Sequence, residues 1–305
     1  MHRVVIRLTD GPRRVLVTGA AGRLGRATLD LLAGRGVPVT ALDLHDPGDL
    51  PADRVVVGGA GDPAAVRAAL AGVDAVVHCA AIPAPTMGTP EEVFAGNVRA
   101  TFVTLEEAAQ ARVRRAVIAS SIAVLGLSFA PRPLHPAWFP VDEAVPVQVA
   151  DPYALSKQAD EATAAMMARR YGMAVVALRF PLLGGPDDVL PGIAARFVDD
   201  PGFGAAHLWA YLDTRDAATV AWSALTVPLS GCHTLFVAAP DTLAPQPTEE
   251  LLDRFHPGVP RRVPLPGRAT PIAVGAATRL LGFRAEHRYP VGSGNGRPDD
   301  AAAGR

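Results

Sequence analysis

The segment Val15-Leu16-Val17-Thr18-Gly19-Ala20-Ala21-Gly22-Arg23-Leu24-Gly25 carries a short apolar strand directly into three glycines spaced three residues apart. A helical pattern follows over residues 24–35. Glycines at this spacing allow a tight turn, close approach of the backbone to a pyrophosphate, and close packing of helix on strand. Free N–H groups and the dipole at the start of a helix favour an anion. In this strand–turn–helix context the motif predicts dinucleotide binding, with contacts from Gly19, Gly22, Arg23, Leu24 and Gly25.

Short apolar runs alternate with Ala-rich helical patterns along the first 180 residues. The predicted strands are 15–18, 37–42, 54–57, 75–79, 116–120 and 174–179, and the predicted helices are 24–35, 63–71, 91–112 and 153–171. Near-continuous apolar strands alternating with helices are typical of a parallel sheet covered on both faces. The fold class is therefore α/β, a Rossmann-type doubly wound parallel sheet, which binds ligands beyond the carboxyl ends of its strands.

After Pro181, frequent prolines and glycines break the pattern into shorter pieces. Strands are expected at 207–212 and 233–237, and helices at 214–225, 248–255 and 271–281. These pieces predict a small C-terminal substrate-binding lobe over the carboxyl edge of the sheet. The expected division is an N-terminal extension 1–13, a dinucleotide-binding Rossmann domain 14–180 with the catalytic helix, a substrate lobe 181–290 interleaved with the core, and a polar, Gly-rich tail 291–305 that is expected to be disordered.

A Pro-rich segment, residues 130–146, forms a long loop between the fifth strand and the helix at 153–171. Loops of this length inside a compact domain are often functional. His135, Trp138 and Phe139 in this segment either cap the pocket or pack against one another on the surface.

Composition restricts the classes of function. The chain of 305 residues has a formal net charge of −1 and is 49% hydrophobic, without the basic excess of a nucleic-acid-binding protein. Cys79 and Cys232 stand in apolar runs and are interpreted as buried free thiols of a reduced, cytoplasmic protein. The eight histidines form no metal-binding pair, so no metal is assigned. No apolar run approaches the roughly 20 residues of a membrane span, and residues 1–14 lack the apolar stretch of a signal peptide.

Lys157 is the only lysine in the chain and stands four residues after Tyr153. On a helix this spacing places both side chains on one face. A compact ammonium group there favours the phenolate form of the tyrosine, which makes Tyr153 a candidate general acid/base. A surface tyrosine–lysine pair without chemistry is the alternative.

Asp43 ends the second predicted strand. A carboxylate there can accept hydrogen bonds from both hydroxyls of an adenosine ribose and would repel a 2′-phosphate, which favours NAD over NADP. A turn-starting aspartate is the alternative, and Arg23 still offers a contact to a phosphate. Gly61 and Asp62, after the third strand, place a carboxylate near the adenine, although Asp62 is equally suited to cap the helix that begins at Pro63.

Together, these features resemble the extended short-chain dehydrogenase/reductases, the NAD-dependent epimerase/dehydratase family. The resemblance covers residues 14–289 and includes further motifs in the family's order: His78-Cys79-Ala80-Ala81, Asn97-Val98-Arg99-Ala100-Thr101, Ala119-Ser120-Ser121, Tyr211-Leu212-Asp213-Thr214-Arg215-Asp216 and Leu281-Gly282-Phe283. It implies that Ala80 and Ala81 line the cofactor. It also implies that Asn97 shapes the active-site end of its helix, where a buried structural asparagine is the alternative.

The resemblance also implies catalytic roles. Tyr153 would exchange the proton of the substrate hydroxyl, Lys157 would bind the nicotinamide ribose, and Ser121, rather than Ser120, would polarise the substrate carbonyl. A turn serine at the end of the strand is the alternative for Ser121. Members of the family often form homodimers through the helices that correspond to residues 91–112 and 153–171.

Departures from the family pattern narrow the chemistry. Ser120-Ser121-Ile122 stands where the family's dehydratases have Thr-Asp-Glu, so dehydration is not expected. Apolar residues follow Arg179 where nucleotide-sugar epimerases have an asparagine, and Arg196 is the only cation between Gly184 and His207. A small substrate is therefore expected. The compact lobe resembles that of some uronate dehydrogenases, although Ile122 and Ala123 replace their polar residues after the catalytic serine.

These inferences favour an NAD-dependent oxidoreductase that moves a hydride between the nicotinamide and a secondary alcohol or carbonyl of a small, sugar-like or sugar-acid substrate. Two alternatives stay open. An epimerase would oxidise and re-reduce one carbinol while retaining its NAD, and a sensor would bind the nucleotide without chemistry.

Overall fold

The computed structural model describes residues 11–291. Residues 1–10 of the predicted extension and 292–305 of the predicted tail lie outside the described residues. The described part contains nine strands, β1 (Val15–Thr18), β2 (Val39–Asp43), β3 (Arg54–Val57), β4 (Ala75–His78), β5 (Arg115–Ser121), β6 (Ala174–Phe180), β7 (Leu182–Gly184), β8 (Tyr211–Asp213) and β9 (Cys232–Phe236).

Seven of these strands form one parallel sheet in the order β3-β2-β1-β4-β5-β6-β9, and β7 and β8 form a separate parallel pair. The helices are α1 (Arg23–Gly34), α2 (Pro63–Ala69), α3 (Pro90–Gln110), α4 (Pro152–Tyr171), α5 (Leu190–Asp199), α6 (Thr214–Thr226), α7 (Thr248–Phe255) and α8 (Gly275–Leu281). One face of the sheet packs against α1 and α6, and the other against α2, α3 and α4. The predicted doubly wound α/β sheet is confirmed.

Local sequence signals fix the helix that carries the candidate acid/base. The Asp151 side chain accepts a hydrogen bond from the backbone N–H of Ala154 at 2.9 Å, and Pro152 occupies the first helical position. Gly172, with a left-handed backbone (φ 68°), ends the helix. Capping aspartate, first-turn proline and terminal glycine are each favoured at these positions. They place Tyr153 in the first turn of α4 and Lys157 one turn later.

A second apolar core lies beside the sheet and includes buried side chains from the segments 122–145, 190–211 and 236–272. The predicted strand 233–237 and helix 214–225 appear as β9 and α6, and both belong to the layers of the sheet. Elements that follow residue 180 therefore contribute to both cores. Among the described residues, no helix has the length and hydropathy that would be needed to cross a bilayer.

Two predicted elements after residue 200 are wrong in part. The strand predicted at 207–212 is present only from Tyr211, as β8. His207 instead ends a 3₁₀ helix, Pro201–His207, and Leu208 and Trp209 take left-handed backbone angles (φ 57° and 51°) that turn the chain before β8 begins. The predicted helix 271–281 begins only at Gly275, because Ile272 instead pairs with Val141 in an isolated parallel bridge.

The loop 130–146 neither caps the pocket nor packs its aromatics on the surface. Phe139 and Val141 are fully buried in the second core. The backbone N–H of Phe139 donates to the carbonyl of Pro260 at 2.9 Å, and that of Val141 donates to the carbonyl of Pro271 at 2.9 Å. Burial of apolar side chains and pairing of these backbone groups therefore hold the loop against the C-terminal segment.

Removal of the Phe139 ring tests this account of the loop. We expect Phe139→Ala to lower the free energy of unfolding by about 3–5 kcal/mol, because the cavity is enclosed on all sides. Val198→Ala is the control: this valine is 46% exposed on α5, and its loss should cost less than about 1 kcal/mol. Denaturant unfolding measures both. Equal losses would show that the loop is not part of a core.

Candidate active site

The turn between β1 and α1 has no room for a side chain at two positions. Gly19 has a left-handed backbone (φ 63°), and a Cβ atom there would lie 2.7 Å from the backbone of Ala80. A Cβ atom at Gly25 would lie 2.2 Å from the carbonyl oxygen of Gly19. Both values are far below a van der Waals contact, so only glycine permits this turn. The result is a backbone cradle at the carboxyl end of β1, as a pyrophosphate site requires.

The glycine turn leads directly into the first turn of α1. Gly22 is the N-cap residue, and no side chain among residues 11–291 caps this helix. The N-terminus is therefore suited to an anion. Arg23 and Leu24 line the same pocket as the three glycines. The Arg23 guanidinium forms an ion pair with Asp188. The cation that the sequence offers to a phosphate is therefore paired with a carboxylate of the protein.

A neighbouring pocket shares Gly19, Gly22, Cys79 and Ala81 with the first and extends to the end of β2. Asp43 lines it and accepts a hydrogen bond from the backbone N–H of Ala21 at 2.9 Å. Within residues 11–291, its other carboxylate oxygen has only a weak contact, 3.4 Å from the backbone nitrogen of His45. The remaining predicted residues of this pocket are Gly61, Ala80, Ala81 and Asn97. The position and acceptor capacity of Asp43 suit an adenosine ribose.

Asp62 is not among the residues that line this pocket. Its side chain accepts a hydrogen bond from the backbone N–H of Ala64 at 2.9 Å and caps α2. Arg99, which sequence reasoning did not single out, lines the pocket and donates from Nε to the carbonyl of Gly61 at 2.9 Å. Arg99 belongs to the motif that begins at Asn97, and this position was the sequence signal that could have identified it as a lining residue.

Ser121, Tyr153 and Lys157 line one pocket together with the glycine cradle. Tyr153 is 8% exposed and Lys157 is 3% exposed. The Lys157 Nζ atom lies 5.8 Å from the centroid of the Tyr153 ring. The two side chains thus share a buried face of α4, and the surface pair that the sequence left open is absent.

The two adjacent serines have different hydrogen bonds. Ser120 donates to the Glu161 carboxylate at 2.6 Å, and Glu161 also binds Arg179 through two contacts of 2.8 Å. Ser121 accepts a hydrogen bond from the backbone N–H of Ala123 at 3.1 Å, and its own proton has no acceptor among the described residues. Ser121 is therefore the serine that can donate to a ligand in the pocket.

Lys157 is held by two acceptors. Its ammonium donates to the carbonyl of Ala119 at 3.0 Å and to Asp160 at 3.2 Å, and the Asp160 side chain is 1% exposed. Burial by itself would lower the pKa of Lys157, but the charges on Asp160 and Tyr153 oppose it and raise the pKa above its usual value. Lys157 therefore stays an ammonium ion inside the protein. Asp160 was not predicted, although its spacing of three residues from Lys157 was a sequence signal.

Asn97 has a structural set of contacts. Its Oδ1 atom accepts from the backbone N–H of Ile82 at 2.7 Å, and its Nδ2 atom donates to the Ile82 carbonyl and to Ser156, each at 3.1 Å. These bonds tie the loop after β4 to α4. His78 is likewise buried between Thr18 and Thr101, and burial lowers its pKa to about 3, so it is neutral.

The far end of the pocket is formed by residues outside the sequence motifs. The Phe129 ring packs edge-on against the Tyr153 ring, with centroids 6.1 Å apart, and against the His207 ring at 6.0 Å. Ser128 lies beside them, and Ile122, Ala123, Phe180, Pro181, Leu182 and Leu183 supply an apolar lining. No sequence pattern pointed to Phe129 or His207, because they come from separate irregular segments.

The chain is similar in sequence to a known protein family and to known enzymes. The model of the family described as "NAD dependent epimerase/dehydratase family" matches residues 15–236. A uronate dehydrogenase from Pseudomonas putida is 30% identical over 168 residues, which are 54% of this chain and 59% of that enzyme. The match thus spans less than two thirds of the dehydrogenase.

Two further proteins match over most of the chain. A 3-diazoavenalumate denitrifying reductase from Streptomyces is 30% identical over 295 residues, covering 92% of this chain and 91% of the reductase. A short-chain dehydrogenase/reductase superfamily protein from Agrobacterium tumefaciens, solved with bound NAD, is 28% identical with a TM-score of 0.67, covering 90% of this chain and 93% of its own.

The glycine cradle can be tested with one methyl group. We expect Gly25→Ala to weaken NAD binding by about tenfold or more, because overpacking against the Gly19 carbonyl costs about 1–3 kcal/mol. Gly34→Ala, in the same helix, is the control, since a Cβ atom there would meet nothing within 4 Å. Isothermal titration with NAD measures both variants. Unchanged affinity in Gly25→Ala would refute the cradle.

The Lys157–Asp160 pair predicts a pH dependence. Asp160→Asn keeps the shape of the side chain but removes the charge that raises the pKa of Lys157, so the lysine pKa should fall. As pH rises from neutral to alkaline, the variant should lose its ammonium ion, and with it NAD affinity, at a lower pH than the wild type. Asp49→Asn, which alters an exposed pair with Arg26, should behave as wild type. Identical pH profiles for all three proteins would contradict the assignment.

Proposed function

The chain belongs to the NAD-dependent epimerase/dehydratase family, and from the pocket described above we propose that it is an NAD-dependent oxidoreductase. It would move a hydride between the nicotinamide and a secondary alcohol or carbonyl of a small, sugar-like or sugar-acid substrate. One observation carries the proposal: Ser121, Tyr153 and Lys157 line a single pocket that is continuous with the glycine cradle.

The residues of the cradle fit the dinucleotide. Gly19 and Gly25 allow α1 to pack closely on the end of β1, and the start of α1, which no described side chain caps, is available to a pyrophosphate. Asp43 is positioned for a ribose. Lys157 would hold the nicotinamide ribose hydroxyls. When bound, NAD supplies the acceptor or donor of the hydride that leaves or joins the carbinol carbon.

The protein supplies the proton chemistry. In the direction of oxidation, Tyr153 accepts the proton of the substrate hydroxyl while the C–H bond of the same carbon releases its hydride. The Lys157 ammonium stabilises the phenolate of Tyr153, and Ser121 donates a hydrogen bond to the substrate oxygen. In the direction of reduction, Tyr153 returns its proton to the oxygen. Positioned proton transfer of this kind contributes about 10²–10⁴-fold in rate.

The relatives support redox chemistry. The Pseudomonas putida protein is a dehydrogenase and the Streptomyces protein a reductase. In this chain Ser121 and the apolar Ile122 stand where the family's dehydratases have the Asp and Glu of the elimination, so that acid and base are missing. This favours oxidation or reduction over dehydration.

A homodimer is a further part of the proposal. Phe102 on α3 and Leu155 on α4 are each 43% exposed. These apolar side chains lie on the two helices that the family resemblance associates with dimer formation. A second copy of the chain would remove both from water.

The acid/base role is tested by removing one hydroxyl. We expect Tyr153→Phe to reduce turnover by at least about 10²-fold while NAD affinity changes little, because the phenol does not form the cradle. Formation of NADH is followed with a panel of sugars, sugar acids and secondary alcohols. Tyr171→Phe is the matched control on the same helix, since the Tyr171 hydroxyl donates to Glu106 away from the pocket. Full turnover by Tyr153→Phe would refute the assignment.

The nucleotide released on denaturation separates the two reactions that use this triad. An empty protein that reduces added NAD is a dehydrogenase. One NAD retained per chain, with sugar interconversion and no net reduction, would instead identify an epimerase.

A further inference from the structure

The imidazole of His207 forms no hydrogen bond with any of the described residues. His207 ends the 3₁₀ helix Pro201–His207 and lines the pocket that contains Tyr153 and Lys157. Its ring is half-buried and packs edge-on against Phe129. The ring nitrogens are therefore available to a molecule in the pocket.

The backbone that follows His207 is strained and firmly anchored. Leu208 and Trp209 both have left-handed backbone angles, which are uncommon for side chains of this size. Trp209 is fully buried and its indole N–H donates to the carbonyl of Pro201 at 2.7 Å, closing the turn. Strained residues of this kind persist where the surroundings over-determine them, and they cluster at functional sites. The turn thus fixes the His207 ring against the pocket.

The segment of the pocket that contains Ser128 and Phe129 is hydrogen-bonded to this turn. Ser128 donates a hydrogen bond to the carbonyl of Ala206 at 3.4 Å, next to His207 in the chain. Phe129 follows and contacts both the His207 ring and the Tyr153 ring. The three rings form one continuous surface, with the reactive tyrosine at one end and the imidazole of His207 at the other.

The charge of the pocket argues against an anionic substrate. Its two cations are each engaged by a carboxylate, Arg23 by Asp188 and Lys157 by Asp160. Burial lowers the pKa of His207 below its usual value, so the imidazole is neutral at pH 7. A carboxylate entering this pocket would be desolvated without a free cation to pair with it. A neutral hydroxyl or carbonyl group would find a hydrogen-bond partner at His207.

We propose that His207 determines substrate specificity, and that the substrate is a neutral secondary alcohol or ketone with a second hydroxyl or carbonyl oxygen that hydrogen-bonds to His207. The apolar part between the two oxygens lies against Phe129. This inference rests on the proposed function, because it takes Tyr153 as the reacting end. It narrows the substrate to the neutral members of the class and excludes sugar acids.

Binding to the protein saturated with NADH tests the proposal without requiring turnover, since an alcohol and NADH cannot react together. The probes are cyclohexanol, cyclohexane-1,4-diol and glucuronate, each titrated calorimetrically. The wild type should bind the diol about fivefold to tenfold more tightly than cyclohexanol, the gain of one neutral hydrogen bond. Glucuronate should bind more weakly than the diol.

His207→Leu should erase the preference for the diol and leave the affinity for cyclohexanol unchanged. His207→Gln, which keeps a hydrogen-bonding group, should retain part of the preference for the diol. His135→Leu is the control, because His135 lies in the loop 130–146 and contacts His256 outside the pocket. The preference should be unaffected there.

Three results would overturn the proposal: a diol preference that survives in His207→Leu, tighter binding of glucuronate than of the diol, or no binding of either neutral probe. Failure of the proposed function gives a different result. In that case the wild type binds NAD but the hydride-transfer assay shows no reduction of NAD with any substrate, whatever the binding preferences of the His207 variants.

Discussion

The close approach of α1 to the end of β1 constrains everything built around the pocket. The Gly19 carbonyl occupies the space that a Cβ atom at Gly25 would need, and Ala80 occupies the space beside Gly19. This contact brings the ends of β1 and β4 together and directs the uncapped helix N-terminus at the cleft. The candidate catalytic face of α4 can line the same cleft only because these backbones lie so close. The glycines therefore act through packing.

A second constraint is the charge that the cleft encloses. Lys157 is buried, and it remains an ammonium ion because Asp160 is buried beside it. Such a pair is expensive to desolvate and is weak evidence for stability. Its value lies in holding a positive charge next to Tyr153 without leaving that charge free to capture an anionic ligand. Arg23 is neutralised by Asp188 in the same way, so the pocket has strong fixed charges and little net attraction for a carboxylate.

The two apolar cores position different parts of the pocket. The sheet and its helices position the cradle, Ser121, Tyr153 and Lys157, whereas the second core holds the turn at His207 through Leu208 and Trp209. Phe129 packs instead against a small separate cluster that includes Ala123 and Tyr153. Phe139 and Val141 strengthen the second core from a loop far away in sequence. Variation in that core would therefore alter the turn at His207, at the far end of the pocket from the cradle. This arrangement agrees with a family in which one scaffold serves several chemistries.

The sequence by itself determined the sheet, its helices and the residues of the cradle, because these depend on local signals: apolar strands, capping residues and glycine spacing. Predicted elements up to α4 lie within two residues of their observed bounds. The sequence also identified Tyr153 and Lys157 as a candidate catalytic pair, because a spacing of four residues on one helix places both side chains on the same face. Only the tertiary structure decided that Asp62 caps a helix, that Asn97 ties two segments together, and that Phe129 and His207 meet at Tyr153. Those relations join residues from separate segments, and their positions follow from packing of the whole chain, which no local pattern encodes.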